Sequence, residues 1–415
     1  MPDEAARIII IGGGAAGYMA AISAKTHAPS AVVQILEKSD KWLAKVRISG
    51  GGRCNVTHHC AEPRKLARHY PRGEAFLRKV FTAWGQPQAV EWFAQHGVAL
   101  KTESDGRMFP TTDDSRTVMD ALQNAARALG VVAHNQCPVT ELVCVKMNDG
   151  SARWALTMPS GKRTAHRVVV ATGGSPKDAG LAWLVALGHE VVPAVPSLFT
   201  FNLPNDPVRE LMGVVAPHVR LRIAGTGLES TGPLLITHWG LSGPAVLRLS
   251  AFGARALHDM GYMYTVQVDW LGELNEAAAR EGLMKQVGEH PKRQVVNAGV
   301  FELPSRLWNY LLLRAGIPLE KPLGELGKKH VDRLLDVLTN DRYSASGKTT
   351  FKEEFVTAGG MALHQVDPAT LESRVAPGLH FAGEVLDIDG ITGGFNFQAA
   401  WSTGWLAGRG AAQDL

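Results

Sequence analysis

The sequence predicts an α/β fold built on a parallel sheet, and three observations support this. Residues 8–11 are four consecutive isoleucines, an apolar run typical of a parallel strand buried on both faces. A second buried-type run, at residues 167–171, also ends in a glycine turn. The C-terminal part of the chain, from residue 378 onwards, repeats the order of short apolar run, glycine turn and small-residue helix.

The segment GGGAAG at residues 12–17 has the spacing of a dinucleotide-binding turn between a strand and a helix. Its first glycine permits the tight turn, the third lets the backbone approach a pyrophosphate, and the last lets the helix pack on the sheet. The N-terminus of that helix would bind the phosphates. After a second apolar run, at residues 31–36, a carboxylate would accept hydrogen bonds from both ribose hydroxyls of an adenosine. The predicted Rossmann-like site comprises Gly12, Gly14, Ala15, Ala16, Gly17, Glu37 and Lys38, and these residues alone fit either NAD or FAD.

Composition indicates a folded, soluble protein of two or three domains. The chain has 415 residues, of which 45% are hydrophobic and 20% charged. A net charge of +4 is small for this size and does not by itself indicate nucleic acid or an anionic membrane as a partner. No apolar run is long enough to cross a bilayer, and the four cysteines form no CxxC pair. We therefore expect a cytoplasmic protein with reduced thiols, no metal site and no membrane contact.

The first part of the chain alternates helices with short strands. Helices are predicted at residues 74–96 and 115–129, with paired β-structure at 134–145 that includes Val139. A helix at residues 178–187 should end in a left-handed cap at Gly188.

Pro193 and Pro196 then mark a boundary, after which the pattern changes. Short alternating runs between residues 199 and 270 predict strands, and Pro244 should begin a helix that extends to about residue 260. Residues 273–340 read as helices broken at prolines 291, 304 and 318. The predicted organisation is a nucleotide-binding domain in two parts, 1–192 and 353–415, split by a β-rich insert at 193–272 and a helical insert at 273–352.

A second turn suited to phosphate or flavin lies near the C-terminus, where FAGE at residues 381–384 precedes TGGFN at 392–396 and a helix at 398–408. Two such turns on either side of an insert indicate one long ligand, such as FAD. In FAD-binding folds of the glutathione-reductase type, a late strand ends in Gly-Asp, whose acid binds the ribitol; here Glu384 stands in that place and Asp387 follows. A helix N-terminus at residues 394–396 would stabilise negative charge on the flavin. The turn after the strand at residues 167–171 matches the strand end found in the middle of the chain in such folds. The residues expected to bind FAD at these two turns are Ala171, Thr172, Gly173, Gly383, Glu384, Asp387, Gly393, Gly394, Phe395 and Asn396.

The chain resembles a family of bacterial flavoproteins that includes aminoacetone-oxidase-like enzymes and the flavoprotein of the bile-acid dehydroxylation operon. Four segments carry the resemblance: SGGGRCNVT at 49–57, GRMFP at 106–110, THWGLSGPAVLRLS at 237–250, and the sequence from TAGGMAL to the helix at 398–408. Arg47 stands where the family more often has an apolar residue, and Met361 where valine is usual. The resemblance implies tightly held FAD in a split Rossmann-like domain.

The loop at residues 49–55 combines three glycines with cations, a pattern that suits phosphate or flavin better than it suits a plain loop. We predict that Lys45, Ser49, Gly50, Gly51, Arg53, Cys54, Asn55 and, farther on, Val139 contact the cofactor. Cys54 and Cys60 resemble the redox pair of disulfide reductases, but five residues separate them instead of four, so no redox disulfide is expected.

The predicted activity is that of an FAD-dependent oxidoreductase that moves hydride between a small substrate and flavin N5. No second GxGxxG follows a strand, so NAD(P)H would act as a transient co-substrate, and O2 is an alternative oxidant. Among His58, His59 and His238, the last is the candidate proton-transfer residue, because its motif belongs to the insert expected to cover the flavin ring.

Two other functions stay open at this point. One is an RNA-associated flavoprotein of the tRNA-modification type that binds through the basic run at residues 64–79, although a solvated helical face explains that run more simply. The other is a protein that binds NAD without flavin.

Overall fold

The computed structural model describes residues 5–147, 150, 152–349 and 356–415. The chain forms two compact units, one from residues 1–196 and 352–415 and the other from residues 197–351. Within the described residues no helix is long and apolar enough to cross a membrane.

The strands, in chain order, are β1 (Arg7–Ile11), β2 (Val32–Leu36), β3 (Thr57–His58), β4 (Leu100–Thr102), β5 (Arg107–Pro110), β6 (Val132–His134), β7 (Glu141–Lys146), β8 (Ala152–Met158), β9 (Gly161–Ala165), β10 (Arg167–Val170), β11 (Val191–Ser197), β12 (Thr200–Asn202), β13 (Val215–Ile223), β14 (Glu229–Ile236), β15 (Gly240–Ser242), β16 (Met263–Asp269), β17 (Asp341–Ser346), β18 (Lys348–Thr349), β19 (Val356–Met361) and β20 (Leu379–Phe381).

The α-helices are α1 (Ala15–His27), α2 (Ala44–Ile48), α3 (Pro63–Ala67), α4 (Glu74–Ala83), α5 (Gln86–Gln95), α6 (Ser115–Ala128), α7 (Ala182–Ala186), α8 (Pro244–Phe252), α9 (Ala254–Asp259), α10 (Glu276–Glu289), α11 (Ser305–Arg314), α12 (Lys328–Asn340) and α13 (Phe395–Ala411).

The first unit is built on a parallel sheet of five strands in the order β20-β10-β1-β2-β6. Residues 8–10 of the central strand are fully buried, as their unbroken apolar character predicts. Because all five strands run in the same direction, their carboxyl ends and the turns that follow them meet at one edge of the sheet. The predicted α/β fold with a Rossmann-like sheet is confirmed.

Helices α1 and α13 pack closely in this unit because glycines remove side chains from their contact. A Cβ on Gly404 would lie 2.5 Å from the carbonyl oxygen of Ala16, and one on Gly408 would lie 2.1 Å from that of Ala20. The Ser23 hydroxyl adds a hydrogen bond of 2.6 Å to the Trp405 carbonyl. The helix that follows the first glycine turn is thus fixed to α13.

Two local predictions for the first unit were wrong. The helix expected at residues 74–96 is two helices, because Gly85 is extended and Pro87 lies in the first turn of α5. Val139 lies in the loop between β6 and β7, since Gln136 is left-handed, with φ of 51°, and Pro138 has no N–H to donate to a ladder.

Two further predictions agree with the structure of this unit. The helix expected at residues 115–129 is α6. Gly188 is left-handed, with φ of 87°, and ends the segment that contains α7. That segment is shorter than expected, with a 3₁₀ turn at residues 178–180 before the helix.

The second unit contains a seven-stranded sheet in the order β17-β16-β13-β14-β15-β12-β18. Pro244 lies at the start of α8 as predicted, but a break at Gly253 separates α8 from α9. The three helices between residues 276 and 340 are separated by the segments that hold the prolines at 291, 304 and 318. Sheet and helices share one core, to which Leu221, Val266, Leu283, Leu311 and Leu334 contribute.

Candidate functional site

The turn between β1 and α1 leaves open space at its third glycine. A Cβ on Gly12 would lie 2.3 Å from the Ala171 carbonyl oxygen, and one on Gly17 would lie 1.9 Å from the Gly12 carbonyl oxygen. Gly14, the N-cap of α1, has no atom within 4 Å of a Cβ position. No side chain caps α1 and no acid lies in its first turn, so the N–H groups around Ala15 and Ala16 can bind an anion.

Glu37 lies just beyond the end of β2 and already holds the turn together. Its Oε2 accepts a hydrogen bond of 2.8 Å from the Gly13 N–H, and its Oε1 accepts two of 2.8 Å from the Ser39 N–H and hydroxyl. A carboxylate has about four acceptor positions, so about one is left for a ribose hydroxyl unless Ser39 moves. Lys38 beside it is exposed.

Sequence reasoning gave no role to Gly13 and Trp42. A Cβ on Gly13 would lie 2.5 Å from the Trp42 ring, so the indole packs directly on this peptide. The available signal was the second glycine of the GGG run, which the GxGxxG spacing does not require.

The turn after β10 continues the same edge of the sheet. The Ala171 N–H donates a hydrogen bond of 2.8 Å to the Ile11 carbonyl. Gly173 is left-handed, with φ of 75°, and Thr172 is exposed. A Cβ on Gly174 would lie 2.8 Å from Glu384 Oε1, which brings the mid-chain turn next to the C-terminal one.

Glu384 and Lys45 form an ion pair of 2.6 Å between Nζ and Oε2, while Oε1 accepts from the Thr357 N–H at 3.0 Å. Gly383 is left-handed, and its N–H donates to the Thr403 hydroxyl at 2.9 Å. Lys45, on α2, is therefore partly neutralised by an acid that was expected to contact the ribitol. Asp387 follows half-buried, with its N–H bound to the Met361 carbonyl at 3.0 Å.

The loop at residues 49–55 turns tightly on three consecutive glycines. Gly50, Gly51 and Gly52 are left-handed in succession, with φ of 58°, 69° and 86°. The Cys54 N–H donates to the Ser49 carbonyl at 3.0 Å and closes the loop.

Arg53 directs its charge toward a neighbouring acid. Its Nη1 is 2.7 Å from Glu103 Oε1, and its guanidinium lies 4.0 Å from the centre of the Phe109 ring. This pairing leaves the backbone amides of the loop, more than the Arg53 charge, as the groups suited to an anion.

Cys54 is fully buried, and burial raises the pKa of its thiol to about 12. Cys54 and Cys60 are both free thiols. A thiol that stays protonated is a poor nucleophile, so Cys54 acts here as a small packed side chain.

The N-terminus of α13 is held by two asparagines. With its amide oriented to satisfy both neighbours, Asn55 accepts a hydrogen bond of 3.0 Å from the Gly394 N–H and donates one of 3.1 Å to the Thr57 carbonyl. The Asn396 side chain accepts from the Gly390 N–H at 2.8 Å and donates to the Gly390 carbonyl at 2.9 Å. No side chain caps α13 and no acid lies in its first turn, so this end of a 17-residue helix presents its positive dipole.

His58 lies at the same turn, although the main sequence argument favoured another histidine. Its Nδ1 is 3.1 Å from the Gly393 carbonyl oxygen, so Nδ1 carries the proton. Its ring stacks on Phe395 at 4.6 Å, and His69 stacks on Phe395 at 4.3 Å. Burial lowers the pKa of His58, which keeps the ring neutral near neutral pH.

His238 is placed in the second unit, in the exposed connection between β14 and β15. Its carbonyl accepts from Arg209 Nε at 2.7 Å, and its ring lies 4.6 Å from that of Trp239. In the described part of the chain, no group of three or more His, Cys, Asp or Glu residues is suited to a metal ion.

A parallel sheet with uncapped helix N-termini at its carboxyl edge, a carboxylate just beyond the second strand and a glycine loop is the arrangement of a Rossmann-type flavoprotein. The chain belongs to the family described as HI0933-like protein Rossmann domain, whose profile matches residues 6–410. It is an FAD-dependent oxidoreductase.

Relatives match the chain over its length. The 3-dehydro-bile acid delta(4,6)-reductase of Clostridium scindens is 32% identical over 418 residues, which cover 98% of this chain and 99% of the relative. The ribosomal RNA dihydrouridine synthase of Escherichia coli is 29% identical over 416 residues, with 98% and 97% covered. Among solved structures, the 3-ketosteroid delta1-dehydrogenase from Sterolibacterium denitrificans has a TM-score of 0.51 at 13% identity, with 98% and 99% covered, and shares the fold.

The residues present fit FAD. Gly14 leaves open space at the start of α1 that a phosphate could occupy, Glu37 keeps about one acceptor position for a hydroxyl group, and neither α1 nor α13 has an acid in its first turn that would repel the cofactor. With FAD as the cofactor, a protein that binds NAD without flavin is no longer supported.

Proposed function

We propose that the chain is a reductase that takes hydride from NAD(P)H and delivers it to a carbon–carbon double bond conjugated with a carbonyl group in a small molecule. The reaction consumes one NAD(P)H and one proton per double bond, and it yields NAD(P)⁺ and the saturated product. FAD, when bound, supplies the intermediate acceptance and donation of hydride.

The observation that carries this proposal is full-length similarity to two relatives whose names describe related chemistry. One is a delta(4,6)-reductase, where delta denotes carbon–carbon double bonds; the other makes dihydrouridine, which is uridine with a ring double bond reduced. In both cases the name describes the addition of hydrogen to carbon, which supports reduction over oxidation as the direction for this chain.

The arrangement of the first unit suits a flavin that passes through its reduced state, as the proposed reaction requires. The positive end of α13, fixed by Asn55 and Asn396, would stabilise the negative charge that a flavin ring carries after it accepts hydride. We place the pyrophosphate at the N-terminus of α1 and the adenosine ribose at Glu37. His238 is the proposed proton donor to the substrate carbon that does not receive hydride.

Anaerobic mixing of the yellow protein with NADH and NADPH tests this function. We expect at least one of them to bleach the flavin absorbance, and a conjugated ketone added afterwards to restore it faster than air does. If neither nucleotide bleaches the flavin, the protein is not an NAD(P)H-dependent reductase. The same conclusion follows if the colour returns rapidly in air and one peroxide is formed per flavin.

A second candidate is that the double bond belongs to a uridine in RNA, and a specific surface favours it. Five exposed cations lie on and beside α3 and α4: Arg64, Lys65, Arg68, Arg78 and Lys79. We call this group the basic surface. It adjoins His69, whose ring stacks on Phe395 at the start of α13, so a bound phosphate backbone would run beside the proposed flavin site. The E. coli relative is named for action on ribosomal RNA.

Charge reversal tests the RNA candidate. Arg68→Glu with Arg78→Glu should weaken binding to a ribosomal RNA fragment and reduce its salt dependence, because each lost phosphate contact lowers the salt slope by about one. Lys328→Glu with Lys329→Glu, two exposed lysines of α12, is the matched control. Equal binding by both double variants, or no binding of the wild type at low salt, would eliminate this candidate.

A further inference from the structure

A buried ion pair joins two segments that are far apart in sequence. Arg72 donates through Nε and Nη2 to the two carboxylate oxygens of Asp389. The Asp389 side chain is fully buried and that of Arg72 is 13% exposed, and their backbones form an isolated antiparallel bridge. Because the desolvation cost of such a pair offsets much of its attraction, its stronger effect is to fix geometry, here through a bidentate contact.

The segment around Arg72 lies along the residues that lead into α13. The His69 carbonyl accepts from the Ile391 N–H at 3.0 Å, and the Tyr70 hydroxyl donates to the Phe395 carbonyl at 2.6 Å. A Cβ on Gly73 would lie 2.5 Å from the Ile388 side chain, so these segments are in close contact along their length. Residues 69–73 therefore support both the approach to α13 and its first turn.

The ion pair is one residue away from the contact that fixes the helix start. Asp389 precedes Gly390, whose N–H and carbonyl are both bound by the Asn396 side chain in the first turn of α13. A displacement of Asp389 would therefore move Gly390, and with it the hydrogen-bond partner of Asn396. This chain of contacts connects Arg72, through Asp389 and Gly390, to the helix N-terminus.

We propose that Arg72 is a positioning residue for the flavin: by holding Asp389 it keeps the positive end of α13 where it stabilises the reduced ring. The inference rests on the placement of FAD given under the proposed function. Without the ion pair, the end of α13 is displaced and its favourable interaction with negative charge is weakened. Reduced FAD loses more by this than oxidised FAD, because the reduced ring carries the negative charge. FAD then binds less tightly and its reduction potential becomes more negative.

The test compares Arg72→Met with Arg220→Met. Arg220 forms an ion pair of 2.9 Å with Asp269, which is also buried, in the second unit. We measure thermal stability, the FAD dissociation constant by fluorescence, and the midpoint potential at saturating FAD. Both variants should lose stability, but only Arg72→Met should weaken FAD binding, by about tenfold, and shift the potential to more negative values.

A wild-type FAD affinity and potential in folded Arg72→Met would overturn the proposal and leave the pair a purely structural role. If that variant does not fold, Arg72→Lys is measured instead. Lysine keeps the charge but loses the bidentate geometry. Arg72→Lys should therefore show smaller changes in the FAD dissociation constant and in the midpoint potential. Wild-type values of both in this variant would equally refute the proposal. Neither measurement involves a substrate, so the result is independent of which molecule the enzyme reduces.

Discussion

The side-chain amide of Asn396 and the peptide unit of Gly390 form two reciprocal hydrogen bonds, of 2.8 and 2.9 Å. An amide can satisfy a neighbouring peptide in this way only if the two planes are held together, so the pair closes a ring at the start of α13. The glycine segment and the helix that follows it therefore act as one rigid element.

Removal of this amide should loosen the cofactor site. Asn396→Ala leaves the Gly390 N–H and carbonyl without their side-chain partner, at a cost of about 1–3 kcal/mol in the free energy of unfolding. We expect a lower melting temperature and weaker FAD binding in a fluorescence titration. Asn275→Ala is the control: it removes the cap of α10, where Oδ1 accepts from the Ala278 N–H at 2.9 Å, and should lower stability alone. Equal FAD affinity in the two variants would contradict the assignment.

Two glycines of the first turn should respond differently to the same substitution. Gly14→Ala places a methyl group in open space on an extended backbone, so the apoprotein should keep its stability to within about 0.5 kcal/mol. The methyl group would, however, occupy the proposed phosphate position and weaken FAD binding. Gly17→Ala should instead destabilise the fold, since its Cβ would lie 1.9 Å from the Gly12 carbonyl oxygen. Denaturation of the apoproteins and FAD titration measure both effects; a Gly14→Ala protein with wild-type affinity would show that phosphate binds elsewhere.

The role proposed for His238 separates two steps of the reaction. His238→Gln should slow reduction of the substrate but leave the rate at which NAD(P)H bleaches the flavin unchanged, because only reduction of the substrate needs a proton donor for carbon. Stopped-flow measurement of each half-reaction distinguishes them. His258→Gln, at another exposed histidine of the second unit, is the control. An equal loss in both half-reactions would point to a structural effect.

The pH dependence of stability should carry a contribution from His380. Burial lowers the pKa of this histidine to about 4, from an ordinary value near 6.5. Between these two pKa values the unfolded chain binds a proton that the folded chain does not. The free energy of unfolding therefore falls as the pH decreases from 6.5, and the loss reaches about 3 kcal/mol near pH 4. In His380→Asn, which does not titrate, urea denaturation at several pH values should show a flatter profile. His218 is exposed, so His218→Asn is the control and should have the same pH profile as the wild type. An unchanged profile in His380→Asn would show that His380 does not cause the loss of stability at low pH.

Sequence alone predicted the parts of the site that depend on local pattern. The GGGAAG turn, the buried strands and the helix start at Gly394 each follow from residues close together in the chain, where glycine positions and apolar runs determine backbone geometry. The acid at the end of β2 was likewise predicted by its spacing. What spacing could not reveal is that Glu37 is already bound to Gly13 and Ser39.

Contacts between distant side chains were beyond the sequence argument. Arg53 was expected near phosphate or flavin, but its guanidinium pairs with Glu103 and stacks on Phe109. No pattern in the sequence indicated a partner for Asp389, whose carboxylate binds Arg72, 317 positions away. No local periodicity encodes such pairs, because they depend on how the segments at residues 69–73 and 388–391 fold against each other.

The most direct test of the proposed activity is a single-turnover titration of the anaerobically reduced protein with a conjugated ketone and, separately, with its saturated analogue. We predict that one equivalent of the conjugated ketone per flavin restores the yellow colour and appears as the saturated product, while the saturated analogue has no effect. If no member of a broad panel of conjugated carbonyl compounds, uridine in RNA included, reoxidises the flavin, the proposed reduction of conjugated double bonds is wrong.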